Sequence, residues 1–511
     1  MDTPTSLVYR TGSRNEPQIE NVVGEEAITA EVIVGLPKKI TSSTFLFALP
    51  WFAKTVAPAC GLPHHRSVPA LVNPTRLDVA VVGLGYVGLP LALQFAEAGA
   101  KVIGLDIDPE KVGKLNKGES YLMHVEGARI HQLIQAGQLK ASTDFFMIAQ
   151  AEAVVICVPT PLNKNREPDI SYILKTGEAI APYLRADAGG QKADGEGRKK
   201  LIVLESTTYP GTTDTDLREV LEKGSGLKAG QDFHLAFSPE REDPGNPQSR
   251  VADVPKVVGG LTPGCLARAM ELYGRAVKTL VPVSSTRVAE ATKLMENIFR
   301  SVNIALANEM KLIYEVMGID VWEVIEAAKT KPFGFMPFYP GPGLGGHCIP
   351  IDPFYLSWKA REYGRPTRFI ELAGEINSSM PDHVVHKVTE ALNQAGKAVR
   401  GSTILLLGLA YKADVDDDRE SPSYVLLEKL EKLGAIVLYH DPHIPLIRPT
   451  REHSRLAGRK SVAMDSPCDL VVIATAHDEF RKHNFSALKV PLIDTRNCVA
   501  PDRRPLAYWK A

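Results

Sequence analysis

Two apolar rhythms divide this chain. In its first long stretch, short continuous runs such as Val79–Val82, Val102–Leu105, AVVICV, LIVLE and FHLAF alternate with segments whose apolar residues recur every third or fourth position. Runs of that kind predict strands buried on both faces, and the spacing between them predicts the helices that cover the sheet. From residue 284 the rhythm changes. ATKLMENIFRSVNIALANEMKLIYEVMGI keeps helical spacing for about eight turns until Gly318 stops it. A helix that long predicts a domain connector, with its apolar stripe read as core. From residue 398 the first rhythm returns in TILLLGLAY, SYVLLEKLEKLG, IVLYHDP, DLVVIATAH and VPLIDTR. The chain therefore predicts an α/β fold of two doubly wound parallel-sheet domains joined by a long central helix and a helical domain. The expected bounds are an extension at 1–75, a first α/β domain at 76–283, a helical middle at 284–397 and a second α/β domain at 398–511.

The first strand opens a more specific pattern. DVAVVGLGYVGLPLALQFAEAGAKVIGLDID runs strand, glycine turn, helix, strand, acid over residues 78–108. Gly83 permits the tight turn and Gly85, followed by Tyr86 and Val87, lets a pyrophosphate approach the backbone. Gly88 lets the helix pack on the strand, while the helix N-terminus attracts phosphate charge. Asp106, 18 residues after Gly88, is placed to accept hydrogen bonds from a ribose 2′-hydroxyl, which favours NAD over NADP. This is a Rossmann-type dinucleotide unit; FAD is its alternative ligand.

The second chemical signal is FYPGPGLGGHCIPIDP, residues 338–353, where a glycine- and proline-rich loop presents Cys348 beside His347 and four residues before Asp352. A lone cysteine in an apolar segment is ordinarily structural. Beside a nicotinamide site it acquires a use: an alcohol oxidised to an aldehyde is captured as a thiohemiacetal, oxidised again to a thioester and released by water as an acid. Such a scheme consumes two NAD+ per turnover and needs the thiolate form of the nucleophile.

At this point the chain resembles the UDP-sugar 6-dehydrogenases. The resemblance spans residue 77 to about residue 500 and rests on seven ordered motifs: the two above, VPTPLN around Thr160, ESTTYPGTT around Ser206 and Thr207, FSPERE around Glu240, KLMEN from Lys293 to Asn297, and GLAYKADVDDDRESPS from Gly408. It implies that Cys348 is the nucleophile, that Asp352 activates water and helps a proton leave, and that Lys293 and Asn297, four apart on a helix, stabilise an oxyanion. Thr160 and Glu240, each after a strand, would hold the hydrolytic water; Thr160, Ser206 and Thr207 would also line the cofactor site. Gly345, His347, Lys412 and Arg419, with Glu240, Lys293 and Asn297, would contact the substrate, and the last domain would receive UDP. Pro244 stands where many UDP-glucose enzymes have a second glutamate. His347 and Ile351 differ from those enzymes as well, and GPGLGGHCIPIDP looks like the branch acting on UDP-N-acetylglucosamine or its epimers. The implied role is supply of uronic acids for surface polysaccharide, by a cytoplasmic homodimer or higher homo-oligomer. Two other classes stay open: a single-step hydroxyacid dehydrogenase, and a silent nucleotide-sugar sensor, which would have no use for Cys348, Lys293, Asn297 and Asp352.

Composition removes other possibilities. With 511 residues, 44% apolar and 23% charged, the chain supports several domains with full cores. A net charge of −1 without a basic run argues against nucleic acid. Its six cysteines (Cys60, Cys157, Cys265, Cys348, Cys468 and Cys498) lack metal-ligand spacing and predict reduced thiols; Cys60 with His64 and His65 is read as a loop without metal. TFLFALPWFA, 44–53, is too short to span a bilayer and begins too late for a signal peptide, so residues 1–75 are expected to be a disordered extension and no membrane partner is expected. ADAGGQKADGEGRKK, 186–200, is expected as a surface loop.

Overall fold

Residues 77–511 are described by a computed structural model, except 124, 164, 185–198, 242–250, 347 and 451–452. The expectations for residues 1–75, for Pro244, for His347 and for 186–198 of the polar insertion lie outside the described residues.

β1 (Leu77–Val82) shows why the first sheet needs helices on both sides. Val79 and Val81 join one core, whereas Ala80 and Val82 join the core on the opposite face. The elements that follow are α1 (Gly88–Glu97), β2 (Val102–Leu105), α2 (Pro109–Asn116), α3 (Gly127–Gln135), β3 (Leu139–Ser142), β4 (Ala151–Ile156), α4 (Ser171–Ile180), β5 (Leu201–Leu204), α5 (Arg218–Ser225), β6 (His234–Phe237), β7 (Lys256–Gly260), α6 (Pro263–Tyr273) and β8 (Leu280–Val283). Their order in the sheet is β3-β2-β1-β4-β5-β6-β7-β8. The reversal beside β1 opens a crevice at the carboxyl ends of β1 and β4. The sheet departs from the all-parallel expectation at one place: β6 and β7 pair antiparallel over Ala236–Gly260 and Phe237–Gly259, so β7 and β8 run opposite to the rest.

Next come α7 (Thr286–Val316), α8 (Val321–Ala328), α9 (Asp352–Glu362) and α10 (Arg368–Gln394). Ser285 caps α7, accepting from the Val288 amide, and Gly318 follows its end at φ 71°. The α7 apolar stripe is only partly core. Leu294 and Ala305 are buried, but Val288, Met295, Phe299, Leu306 and Ile313 are exposed, while Glu290, Lys293, Asn297, Ser301 and Asn308 face inward. Polarity is inverted because buried polar side chains occupy the inward face of α7, and its outward face is left exposed among the described residues.

The second sheet contains β9 (Thr403–Leu407), β10 (Ile436–His440), β11 (Leu470–Ile473), β12 (Leu492–Asp494) and β13 (Tyr508–Lys510), with α11 (Pro422–Lys432) and α12 (Asp478–Lys482). All its strands are parallel, in the order β10-β9-β11-β12-β13. The chain order reverses at β9, as it does at β1. No helix among the described residues is long and apolar enough to cross a membrane.

Candidate active site

The glycine turn has the shape the sequence predicts. Gly83 sits at φ 90°, and a Cβ there would come within 2.7 Å of the Cys157 carbonyl. A Cβ on Gly88 would lie 1.8 Å from the Gly83 oxygen, so only glycine lets α1 start this close to β1. Gly85 has nothing within 4 Å of its would-be Cβ, and no side chain caps α1 at Val87. Open backbone at a helix N-terminus fits a pyrophosphate. Asp106 follows the end of β2, accepting from the Leu84 amide at 2.9 Å and the Asp108 amide at 3.0 Å, with Lys111 at 3.9 Å. It therefore holds the turn in place, and each of its oxygens keeps a second lone pair for a ribose hydroxyl.

This turn borders a cleft of about 610 Å³ whose walls include Gly85, Tyr86, Val87, Thr160, Ser206, Thr207, Glu240, Cys348 and Arg419. Residues from six separate motifs thus meet in one space. Ser206 donates to the Val158 carbonyl at 2.7 Å, joining the ends of β4 and β5. Burial pushes the Tyr86 phenol up to about 12, helped by Asp417 and Asp416. The Arg419 guanidinium lies 4.3 Å from the Tyr86 ring centre, held by Asp417 at 2.9 and 2.6 Å.

Behind Cys348 the ionisable groups form a tight set. Asp352 is the first residue of α9, and its amide donates to the Cys348 carbonyl at 2.8 Å, so the start of the helix fixes the CxxxD spacing in space. Asn297 Nδ2 donates to Asp352 Oδ2 at 2.5 Å. One turn back on α7, Lys293 Nζ donates to the Glu240 carbonyl at 2.5 Å and lies 3.2 Å from Glu240 Oε2. Burial disfavours the Lys293 charge, yet Glu240, then Cys348 and Asp352, hold its pKa above the ordinary value. Burial raises Asp352 to about 7; Lys293 and Asn297 oppose the rise and Glu240 adds to it. Cys348 is pushed up to about 12 by burial and by Asp352, against the pull of Lys293. Cys348 therefore rests as a neutral thiol. A neighbour near neutrality, Asp352, is available to take a proton.

Lys412 and Gly345 lie elsewhere. A Cβ on Gly345 would strike Tyr411 at 2.7 Å and Pro422 at 3.0 Å, so the loop needs glycine to pass the second domain. Lys412 lines a separate cavity of about 520 Å³ at the carboxyl ends of β9, β11 and β12, with Tyr339, Arg481 and Arg496. Lys412 and Arg419 thus face different spaces.

The sequence reading missed Arg496, although it follows a strand at the sheet edge where ligands bind. It also missed Glu205, which immediately precedes Ser206 and lines the cleft. Glu205 is buried against Lys256 at 3.1 Å and the Tyr273 hydroxyl, and burial raises its pKa despite both partners. No local signal marks Lys256 or Tyr273 as its partners.

Comparison with known proteins agrees with this geometry. Residues 77–277 match the NAD binding domain of the UDP-glucose/GDP-mannose dehydrogenase family, 287–379 its central domain and 405–501 its UDP binding domain. The chain is 35% identical over 408 residues to a UDP-N-acetyl-D-glucosamine 6-dehydrogenase of Pseudomonas aeruginosa, covering 79% of this chain and 92% of that one. It is 36% identical over 430 residues to a UDP-N-acetyl-D-mannosamine dehydrogenase of Pyrococcus horikoshii, covering 83% and 96%. A solved structure of a UDP-D-ManNAc dehydrogenase from P. horikoshii superposes with a TM-score of 0.74 at 33% identity, covering 84% of this chain and 98% of that one. A dinucleotide cleft, a central helix and a second nucleotide unit, each matched in this order, place the chain in the UDP-glucose/GDP-mannose dehydrogenase family, as an NAD-dependent oxidoreductase of nucleotide sugars.

Proposed function

We propose that the enzyme oxidises C6 of UDP-N-acetyl-D-glucosamine to the uronate in two steps, supplying a precursor of surface polysaccharide. The observation that carries the two-step reading is the convergence of Cys348, Asp352, Asn297, Lys293 and Glu240 beside the dinucleotide cleft. A one-step alcohol dehydrogenase needs a base but no thiol. NAD+, when bound, supplies the hydride acceptor for both oxidations.

In this reading the C6 aldehyde carbon bonds to Cys348 Sγ as the thiol proton passes to Asp352. The developing alkoxide on C6 lies against the Lys293 ammonium and the Asn297 amide. After the second oxidation, Glu240 and Thr160 hold the water whose attack breaks the C–S bond, leaving a carboxylate on the sugar and a reprotonated Cys348. Asp106 takes the ribose hydroxyls, with Ser206 and Thr207 along the same wall, while Lys412 and Arg496 receive the diphosphate. The exposed α7 row packs against a second copy of the chain, which covers an apolar groove lined by Val288, Met295, Phe299, Met336 and Phe338.

The GPGLGGHCIPIDP loop and the Pseudomonas relative support the glucosamine substrate. The similarity to the Pyrococcus protein favours UDP-N-acetylmannosamine as the second reading. Purified protein is incubated with NAD+ and, separately, UDP-GlcNAc, UDP-ManNAc, UDP-GalNAc and UDP-glucose, and NADH formed per sugar consumed is measured. Two NADH per UDP-GlcNAc supports the proposal. One NADH per sugar, or unchanged uronate formation by a Cys348→Ser protein, overturns the thioester route; turnover of another sugar alone moves the substrate.

A further inference from the structure

We propose that Asp414, His443 and His477 form a binding site for a first-row divalent transition metal, best matched by zinc, on the carboxyl edge of the second sheet. The three follow β9, β10 and β11, so they converge where the strand order reverses. One ligand atom from each lies within 4.8 Å of the others. His477 Nδ1 is 3.6 Å and His443 Nε2 is 3.8 Å from Asp414 Oδ1. Bond lengths of about 2.0–2.1 Å around a tetrahedral zinc put ligand atoms roughly 3.4 Å apart, so both distances to the carboxylate exceed that spacing by only a few tenths of an ångström. Two imidazoles and one carboxylate, with a fourth position open, suit zinc, nickel or copper better than magnesium or calcium.

The second layer of contacts is what a metal site requires. His477 is fully buried, and its Nε2 lies 3.1 Å from Asp441 Oδ2. Asp441 also accepts from the amides of Leu409 and Ala410 on Oδ2, and of His443 and Ile444 on Oδ1. A carboxylate surrounded by donors obliges His477 to give its Nε2 proton to it, which leaves the Nδ1 lone pair facing Asp414. That is the tautomer a metal takes, set by a carboxylate behind the histidine. The same carboxylate accepts from the backbone amide of His443, so both histidines contact one group, His477 by its ring and His443 by its backbone.

The face toward solvent is open, since the Asp414 and His443 side chains are 45% and 26% exposed. Lys482, close by, is paired with Asp478 at 2.8 Å. The competitor for the site is internal. The Asp414 amide donates to His477 Nδ1 at 2.9 Å, and the Asp478 amide to Asp414 Oδ1 at 3.0 Å. Metal capture displaces the first of these, which lowers affinity and selects for the strongest-binding divalent ions. Asp414 sits in the left-handed region at φ 59°, a conformation aspartate tolerates. Its chain neighbour Ala413, with Ala476, lines the cavity that holds Lys412 and Arg496.

The test uses the full chain, stripped with chelator and titrated with Co2+, followed by its visible d–d bands and then by competition with Zn2+. The proposal predicts one Co2+ per chain with a nitrogen and oxygen spectrum and no sulfur charge-transfer band, displaced by Zn2+. It also predicts affinity at least tenfold weaker in His443→Gln and in Asp414→Asn, the latter keeping a residue suited to the left-handed backbone. Circular dichroism checks that each variant folds. Absence of saturable binding, binding unchanged in both variants, or a thiolate band that disappears in Cys348→Ser overturns it.

Discussion

Lys293→Met isolates the charge at the centre of the site. The substitution keeps an unbranched side chain of similar length and removes only the ammonium. Lys293 Nζ is 3.2 Å from Glu240 Oε2, and both side chains are nearly buried, at 7% and 12% exposure. At an effective dielectric of about 20, two unit charges at that separation attract by about 5 kcal/mol. Breaking a buried pair by removing one partner typically destabilises by about 3–5 kcal/mol, because the remaining charge stays desolvated. Chemical denaturation of the variant at neutral pH is therefore expected to show a loss of about 3–5 kcal/mol. The double variant Lys293→Met/Glu240→Gln should recover most of that loss, because Glu240 is then no longer an unpaired carboxylate. Turnover should not recover. Losing an oxyanion donor lowers kcat by about 10²–10³, and the double variant still lacks the donor. Lys293 is also the main charge opposing the upward shift of Asp352, so the Asp352 limb of the pH profile should move above its position near 7. A stability loss under about 1 kcal/mol in the single variant, or kcat reduced less than tenfold, would refute the argument that a desolvated cation holds this cluster together.

Other expectations follow from the same geometry. Asp352 has a folded pKa raised to about 7, so its ionisation penalises the native state as pH rises from the unfolded value near 4 through 7, by up to about 4 kcal/mol. Asp352→Asn should accordingly gain more stability over the parent at pH 8 than at pH 5, where only about 1.5 kcal/mol of that penalty is present, and should lose the ascending limb of kcat/KM near 7; equal stability differences at both pH values would contradict the shift. Asp106→Ala should raise the KM for NAD+ and relax discrimination against NADP+, measured by initial rates with both cofactors, since Asp106 also holds the Leu84 amide. Gly88→Ala should abolish cofactor binding and destabilise the first domain by about 3 kcal/mol or more, read by calorimetric unfolding, because the added methyl would lie 1.8 Å from the Gly83 carbonyl oxygen and 3.2 Å from the Cys157 Cβ. Leu306→Glu should break the proposed dimer into monomers in sedimentation experiments, and an unchanged mass would remove α7 from the interface.

What the sequence by itself determined was local. Glycine at 83, 85 and 88, the period of each strand and helix, the stop at Gly318 and the Cys348–Asp352 spacing are readable because each is governed by neighbours along the chain. Tertiary structure decided the rest. Glu240 meets Lys293 across 53 residues, and Asn297 meets Asp352 across 55, pairings that no short-range pattern encodes. Arg419 crosses from the second sheet to stack on Tyr86, Arg496 joins Lys412 in a separate cavity, and β7 runs against its neighbour. The apolar stripe of α7 is plain in the sequence, but its outward direction depends on which face the inner polar residues occupy. The state of the thiol is the clearest case. The loop around Cys348 suggests activation, whereas desolvation by everything packed around it drives the pKa upward. Burial is a property of the whole fold, and a residue's neighbours in sequence do not set it.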